Sequence, residues 1–185
     1  MTSPNLTMAA KGLRLKQTLR VPDLGRLLLR PIEPQDEPLL VKFHQALSEE
    51  TIYQRYFEHI VLASRVGHER LARICTNDDG SFALVAVFPG TTKKPAAIFA
   101  VGRFSRTDAP LAADFALLVH DRVQGHGIGS ALMKRLVTLA RAGGFRQLTG
   151  EVLVANHDML HVCRHFGFTL QSVPEDGLVR VTLDL

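Results

Sequence analysis

Residues 122–136 read RVQGHGIGSALMKRL, with glycine at 125, 127 and 129 and an amphipathic helical pattern directly behind them. Glycine frees φ and removes the side chain, so successive backbone N–H groups can turn toward one point. The first turn of a helix adds N–H groups without intrahelical partners, and a partial positive charge, at the same place. Together these make an anion site, and phosphate is the anion most often held there. The alternative is a tight strand-to-helix turn with no ligand, but such a turn needs one glycine rather than three.

Two common phosphate patterns do not fit. No lysine follows Gly129, so nothing reaches the terminal phosphates as a P-loop lysine would. Ser130 stands where the third glycine of the dinucleotide pattern G-x-G-x-x-G belongs. The pattern that does fit is Q-x-x-G-x-G, written here by Gln124, Gly127 and Gly129 with an extra glycine at 125.

The rest of the chain supplies the strand and helix that this loop requires. TLRVPDLGRLLLRPI places two extended runs around Pro22-Asp23-Leu24-Gly25, which is hairpin chemistry. Behind Pro34, Leu39, Leu40, Phe43 and Leu47 recur at helical spacing, and SEETIYQRYFEHI and SRVGHERLARIC read as two further short helices. SFALVAVF and AAIFAVGRF are apolar runs joined by a Pro-Gly turn segment, an antiparallel pair, and AADFALLVH is a strand feeding the glycine loop. After the loop, Leu132, Met133, Leu136, Val137 and Ala140 form one helical face, and Gly143-Gly144 ends it. FRQLTGEVLV is a strand, NHDMLHVCRHF a helix capped by Asn156, and FTLQSV and LVRVTLDL are closing strands. The expected class is therefore α/β, with one mixed, mostly antiparallel central sheet flanked by helices. Residues 1–16 are expected to be a flexible N-terminal tail and 17–185 one domain.

Charge and cysteine usage narrow the partners. The net charge is +4 over 185 residues, with only a mild basic cluster at Lys11, Arg14, Lys16 and Arg20. Without a basic stripe or interleaved aromatics, nucleic acid is not an expected partner. No apolar run approaches membrane-spanning length, so no membrane partner is expected either. Cys75 and Cys163 have no metal-like spacing, which suits a reducing cytoplasm. His157, His161 and His165 recur at i, i+4 and i+8, opposite Met159, Val162, Cys163 and Phe166; they are expected to face solvent, and no metal is expected.

With FALLV upstream of the loop and GEVLVANHDMLHVCRHFGF downstream, the chain from about Arg26 to Leu185 resembles the GNAT superfamily of N-acetyltransferases. LLRPIEPQDEPLLVKF, LSEETIYQRYF and VRVTLDL narrow the resemblance to the GNAT domain of Pat-type bacterial protein lysine acetyltransferases. The resemblance implies the GNAT fold, acetyl-CoA as cosubstrate and a primary amine, first of all a protein lysine, as acceptor. A small-molecule amine and a non-catalytic acyl-CoA sensor are the alternatives. It implies that Gln124, Gly125, His126, Gly127, Ile128, Gly129 and Ser130 surround the pyrophosphate and that Leu117, Leu118 and Val119 lend main-chain partners to the pantetheine arm, with Asn156 nearby. An N–H near Leu118 would polarise the thioester carbonyl.

A lysine amine of pKa about 10.4 is neutral in roughly one molecule in a few thousand at pH 7, so a carboxylate is expected to take its proton. Asp114 stands where the Pat-type pattern usually has glutamate; one methylene shorter, it favours a water relay. Glu151, on the next strand, is the second candidate base. Cys163 lies where many GNAT enzymes place a tyrosine that protonates the departing thiolate. Core packing is the preferred role for it here, with proton donation as the alternative. Tyr53, Arg55, Tyr56 and Phe57 fall in the helical insertion that borders the acceptor in this family, where acceptor contact and packing are both open.

Overall fold

A computed structural model describes residues 6–22, 24–173 and 176–185. The elements run α1 (Leu6–Gly12), β1 (Gln17–Val21), β2 (Gly25–Pro31), α2 (Glu37–Gln45), α3 (Glu49–Tyr56), α4 (Leu62–Arg65) and α5 (His68–Ile74). They continue with β3 (Ser81–Phe88), β4 (Ala97–Arg106), β5 (Ala112–Val119), α6 (Ile128–Ala142), β6 (Gln147–Leu153), α7 (His157–His165), β7 (Thr169–Val173) and β8 (Leu178–Asp184). One sheet of order β1-β2-β3-β4-β5-β6-β8-β7 carries all of these strands. Every neighbouring pair is antiparallel except β5 and β6, which run parallel.

That exception positions the site. β5 pairs with β6 only over Ala112–Asp114 against Gln147–Thr149, while its remaining length stays bonded to β4 through Val119. Beyond Thr149 the two strands part, leaving a wedge in the middle of the sheet. Gly150 sits at the parting: a Cβ there would lie 2.7 Å from Cε1 of Phe115, whose ring packs edge-on against Phe168 at 5.3 Å.

The sheet separates two apolar layers. Leu132, Met133, Leu136 and Ala140 of α6 and Leu160 and Cys163 of α7 pack on one face with Phe104, Leu148 and Val181. Leu40 and Phe43 of α2, Ile52 of α3 and Leu71 of α5 pack on the other with Val85, Ile98 and Leu118. Side chains alternate along a strand. Phe115, Leu117 and Val119 accordingly face the α6 layer, and Leu118 the α2–α5 layer.

The entry to α2 is held by a buried ion pair. Asp36, only 2% exposed, accepts from both terminal nitrogens of Arg30 at 2.7 Å and from the Glu33 N–H at 2.9 Å.

Where a flexible tail is expected, residues 6–12 form α1, and Leu6 and Leu15 are buried. The cause is tertiary: Leu6 packs against α6 at Gly143, where a Cβ would meet Leu6 Cδ2 at 2.7 Å. Residues 1–5 of that expected tail, and Asp23 of the expected hairpin turn, lie outside the described residues. The hairpin itself is present, with Val21 opposite Gly25.

Candidate active site

The wedge opens into a cavity of about 350 Å³ between β5, β6, α3 and α7. At its far end lies the glycine loop. Gly125 and Gly127 have φ of +73° and +75°, the left-handed region that side-chain-bearing residues enter at a cost. Gly127 is the residue before α6, and no side chain caps that helix. The first-turn N–H groups of Ile128, Gly129 and Ser130 therefore converge on the cavity without an intrahelical acceptor. A diphosphate fits this cradle on its chemistry, meeting clustered N–H donors at the positive end of a fifteen-residue helix.

Leu117, Leu118, Val119, Gln124, Gly125, Gly127, Ile128, Gly129, Ser130 and Asn156 all line the cavity. His126 does not; it is exposed beside the loop, its ring Nδ1 2.7 Å from the Gln124 carbonyl. Asn156 spends its side-chain oxygen on capping α7, accepting from the Met159 N–H at 3.1 Å.

The backbone of β5 turns its polar groups alternately toward β4 and toward the wedge. Thr107 N–H reaches Ala112 O and His120 N–H reaches Phe99 O. Even-numbered residues of β5 thus direct their N–H and C=O groups to β4, and by the two-residue period Leu118 does so too. The N–H groups facing the wedge are those of Leu117 and Val119. A thioester carbonyl polarised near Leu118 would meet one of those two.

The loop is tied to α3 by a polar relay. Asp121 accepts from Thr51 Oγ1 at 2.7 Å, from the Ser48 N–H at 3.1 Å and from the Ser48 hydroxyl. Gln124 Nε2 donates to Thr51 Oγ1 at 3.0 Å and to the Val119 carbonyl at 3.1 Å. Hydrogen bonds from Ser48 and Thr51 outweigh burial and hold the Asp121 carboxyl below its usual value, so it stays an acceptor. Nothing in the sequence singles out Asp121, and the one signal for Thr51 is its place four residues before Arg55 on one helix face.

The three candidate acid–base residues are placed differently. Glu151 lines the cavity and pairs with Arg180 at 3.5 Å. Asp114 lies on the last paired rung before the wedge, and its carboxylate accepts from the Thr149 hydroxyl. It shares the α2–α5 face of β5 with Ala116 and Leu118, but it does not line the cavity. Cys163 is fully buried among core side chains, and burial pushes its thiol up to about 12. Met159, His161 and Val162 of α7 line the cavity instead. His157, His161 and His165 are exposed, and among the described residues no group of three metal-ligating side chains comes together.

Behind β5, on the α2–α5 side, lies a second cavity of about 300 Å³. Arg55 and residues Ala116 to Leu118 line both. Its wall includes His44, only 3% exposed, whose Nδ1 has no partner. Burial first, then the charges of Arg70, Arg65 and Arg55, lower the His44 pKa from 6.5 to about 4. His44 is thus neutral when folded and free to protonate when unfolded. Its contribution to stability is complete above pH 6.5 and is lost as the pH falls toward 4, by up to about 3 kcal/mol. Urea titrations at pH 7 and pH 5 should show this loss, and His44→Leu should flatten the slope between them.

A family model described as an acetyltransferase (GNAT) domain matches residues 26–169, and the chain belongs to that family. Membership makes it an acetyl-CoA-dependent acyltransferase. It is 28% identical over 156 residues to acetyltransferase PA5475 of Pseudomonas aeruginosa, covering 84% of this chain and 82% of the relative. The GNAT domain of S. lividans PAT superposes with a TM-score of 0.78 at 30% identity, over 92% of this chain and 97% of that one. YncA of Salmonella typhimurium, solved with acetyl-CoA, shares the fold at a TM-score of 0.64 and 17% identity, over 86% and 94%. No helix among the described residues is long and apolar enough to cross a membrane.

Proposed function

We propose that the chain moves an acetyl group from acetyl-CoA directly to the side-chain amine of a protein lysine, with both substrates bound together. The observation that carries this reading is the wedge itself, with the anion cradle at one end and a carboxylate-bearing sheet face beside it. The lysine assignment draws on the Pat-like sequence stretches and the 30% identity to the GNAT domain of S. lividans PAT.

In this mechanism the pyrophosphate lies against Gly125–Ser130 and the pantetheine arm adds to β5 as a strand would, through Leu117 and Val119. The neutral amine attacks the thioester carbon, the oxygen is polarised by a wedge-facing N–H, and the C–S bond breaks to release CoA as thiolate. The amine's proton passes to Asp114 through water, since Asp114 stands on the acceptor-side face but outside the cavity. A second assignment is favoured by one observation: of the two candidate bases, Glu151 is the one that lines the cavity. Cys163 packs the core and takes no part. The two free, buried cysteines are in keeping with a reaction in the reducing cytoplasm.

The pH dependence of turnover separates the two carboxylates. Asp114→Asn should lower kcat/KM by about a hundredfold at pH 7, within the usual range for removing a general base, and by progressively less as pH nears the amine's own pKa. Glu151→Gln should leave the shape of the profile intact. A deficit in Asp114→Asn that stays constant to high pH argues against the base role. The reverse pattern assigns the base to Glu151.

A further inference from the structure

The second cavity is lined by Arg55 from α3, Arg70 and Arg73 from α5 and Arg103 from β4, and by no carboxylate among the described residues. None of the four lies within ion-pair distance of a described carboxylate. Arg55 and Arg70 stack on the Tyr56 ring at 5.0 and 5.1 Å, and Arg70 also donates to the Tyr56 hydroxyl at 2.9 Å. Arg103 Nε donates to Ser81 Oγ at 3.0 Å, and Arg73 Nε to the Glu69 carbonyl at 3.3 Å. Arg70 Nε and His44 Nδ1 are buried with no partner.

Collecting like charges this way is unfavourable unless something negative meets them. Arg55 and Arg103 already show the cost: burial first, then neighbouring arginines, depress both guanidinium pKa values, although nearby Tyr56 and Asp78 respectively act the other way. The cavity also adjoins the reacting centre, since Arg55 and Ala116–Leu118 are walls of both cavities. A group held here lies across β5 from the thioester arm, on the face that carries Asp114.

We propose that this arginine cavity binds a carboxylate or phosphate on the acceptor, next to the amine that is acetylated. Resting on the lysine reading above, this means a target lysine flanked by acidic residues. The planar guanidinium fork suits such an anion, and its held position would bring the amine to the thioester.

The test compares the peptides Ac-Glu-Lys-Glu-amide and Ac-Gln-Lys-Gln-amide with acetyl-CoA at low salt. The acidic peptide should be preferred by about tenfold or more in kcat/KM, chiefly through KM, because hydrogen bonds to charged groups are each worth that much. Arg73→Gln, at the exposed rim, and Arg103→Gln should each move the ratio toward one, and Arg103→Lys should restore part of it. Raising the salt should erode the preference. Equal rates for the two peptides overturn the anion site while leaving acetyl transfer intact. A preference for succinyl-CoA over acetyl-CoA, with the peptides equal, also overturns it by giving the cavity to the acyl group. If peptides fail but O-phosphoethanolamine outpaces ethanolamine, the anion site stands and the protein-lysine reading falls. If no amine turns over, calorimetry of the two peptides with the CoA-loaded chain decides: tighter binding of the acidic peptide supports the site, and equal binding overturns it.

Discussion

Gly127→Val should weaken acetyl-CoA binding by about a hundredfold, because it removes one or two charge-assisted N–H contacts to the diphosphate. Gly127 holds a φ of +75°, and nothing in the protein lies within 4 Å of where its Cβ would stand. The substitution therefore creates no clash inside the fold. Its first cost is backbone strain, about 1–2 kcal/mol for an L residue held left-handed and more for a β-branched one. Its second is decisive for binding: relaxing that strain swings the N–H groups of Ile128 and Gly129 off their common focus. Calorimetry with acetyl-CoA alongside a thermal melt separates the two effects. A chain that melts a few degrees lower and binds about a hundredfold more weakly agrees with the cradle. Wild-type affinity in a folded Gly127→Val chain places the diphosphate elsewhere.

The largest loss of stability is expected from Asp36→Ala, about 3–5 kcal/mol, the range for leaving one member of a buried pair uncompensated. Both terminal nitrogens of Arg30 would lose their acceptor at 2.7 Å, and the Glu33 N–H its own at 2.9 Å. Arg30 retains the Pro31 carbonyl at 2.9 Å from Nη1 and the more exposed Glu33 carboxylate at 4.0 Å, which meet its charge only in part. For a chain of this size the melting temperature should fall by roughly 10 °C. Since Asp36 leads into α2, which carries His44 to the arginine cavity, the variant should also bind acceptor less well near its melting point. In the cold, acetyl-CoA affinity should be unchanged, because neither α2 nor Arg30 lines the cavity that ends in the glycine loop. A melt within 2 °C of wild type contradicts the weight given to this pair.

These effects mark how far the residues announce the site. The glycine loop was readable because its chemistry is local: strand, positive-φ glycines and helix start follow one another within twenty residues. So was the Asn156 cap, which the structure realises through the Met159 N–H. The order of strands and helices followed from apolar periodicity and turn residues for the same reason. α1 was not readable, since LTMAAKG has no repeating apolar stripe and is held by tertiary packing of Leu6, Ala9 and Ala10 on the α6 layer. The wedge-facing N–H groups depend on which β5 residues β4 has already engaged, a matter of register rather than of residue type. The arginine cavity lies further still from view. Its four cations come from α3, α5 and β4, separated by up to 48 positions from Arg55 to Arg103, and in one dimension they look like ordinary surface charge.

The fold also explains why apolar residues can surround a polar reaction. Leu117 and Val119 turn their side chains to the α6 layer while their backbone groups face the wedge. The side chains stabilise the core and the peptide groups meet the substrate, so neither role constrains the other. Gly150 leaves the Phe115 ring its place at the apex of the wedge.

Direct transfer within a ternary complex is most sharply tested by initial velocities measured while acetyl-CoA and a lysine peptide are varied together. Double-reciprocal lines that intersect, with no acetylated protein in the mass spectrum after incubation with acetyl-CoA alone, are the expected result. Parallel lines accompanied by a 1:1 acetylated chain would contradict the account by showing that the group pauses on the protein before it reaches the amine.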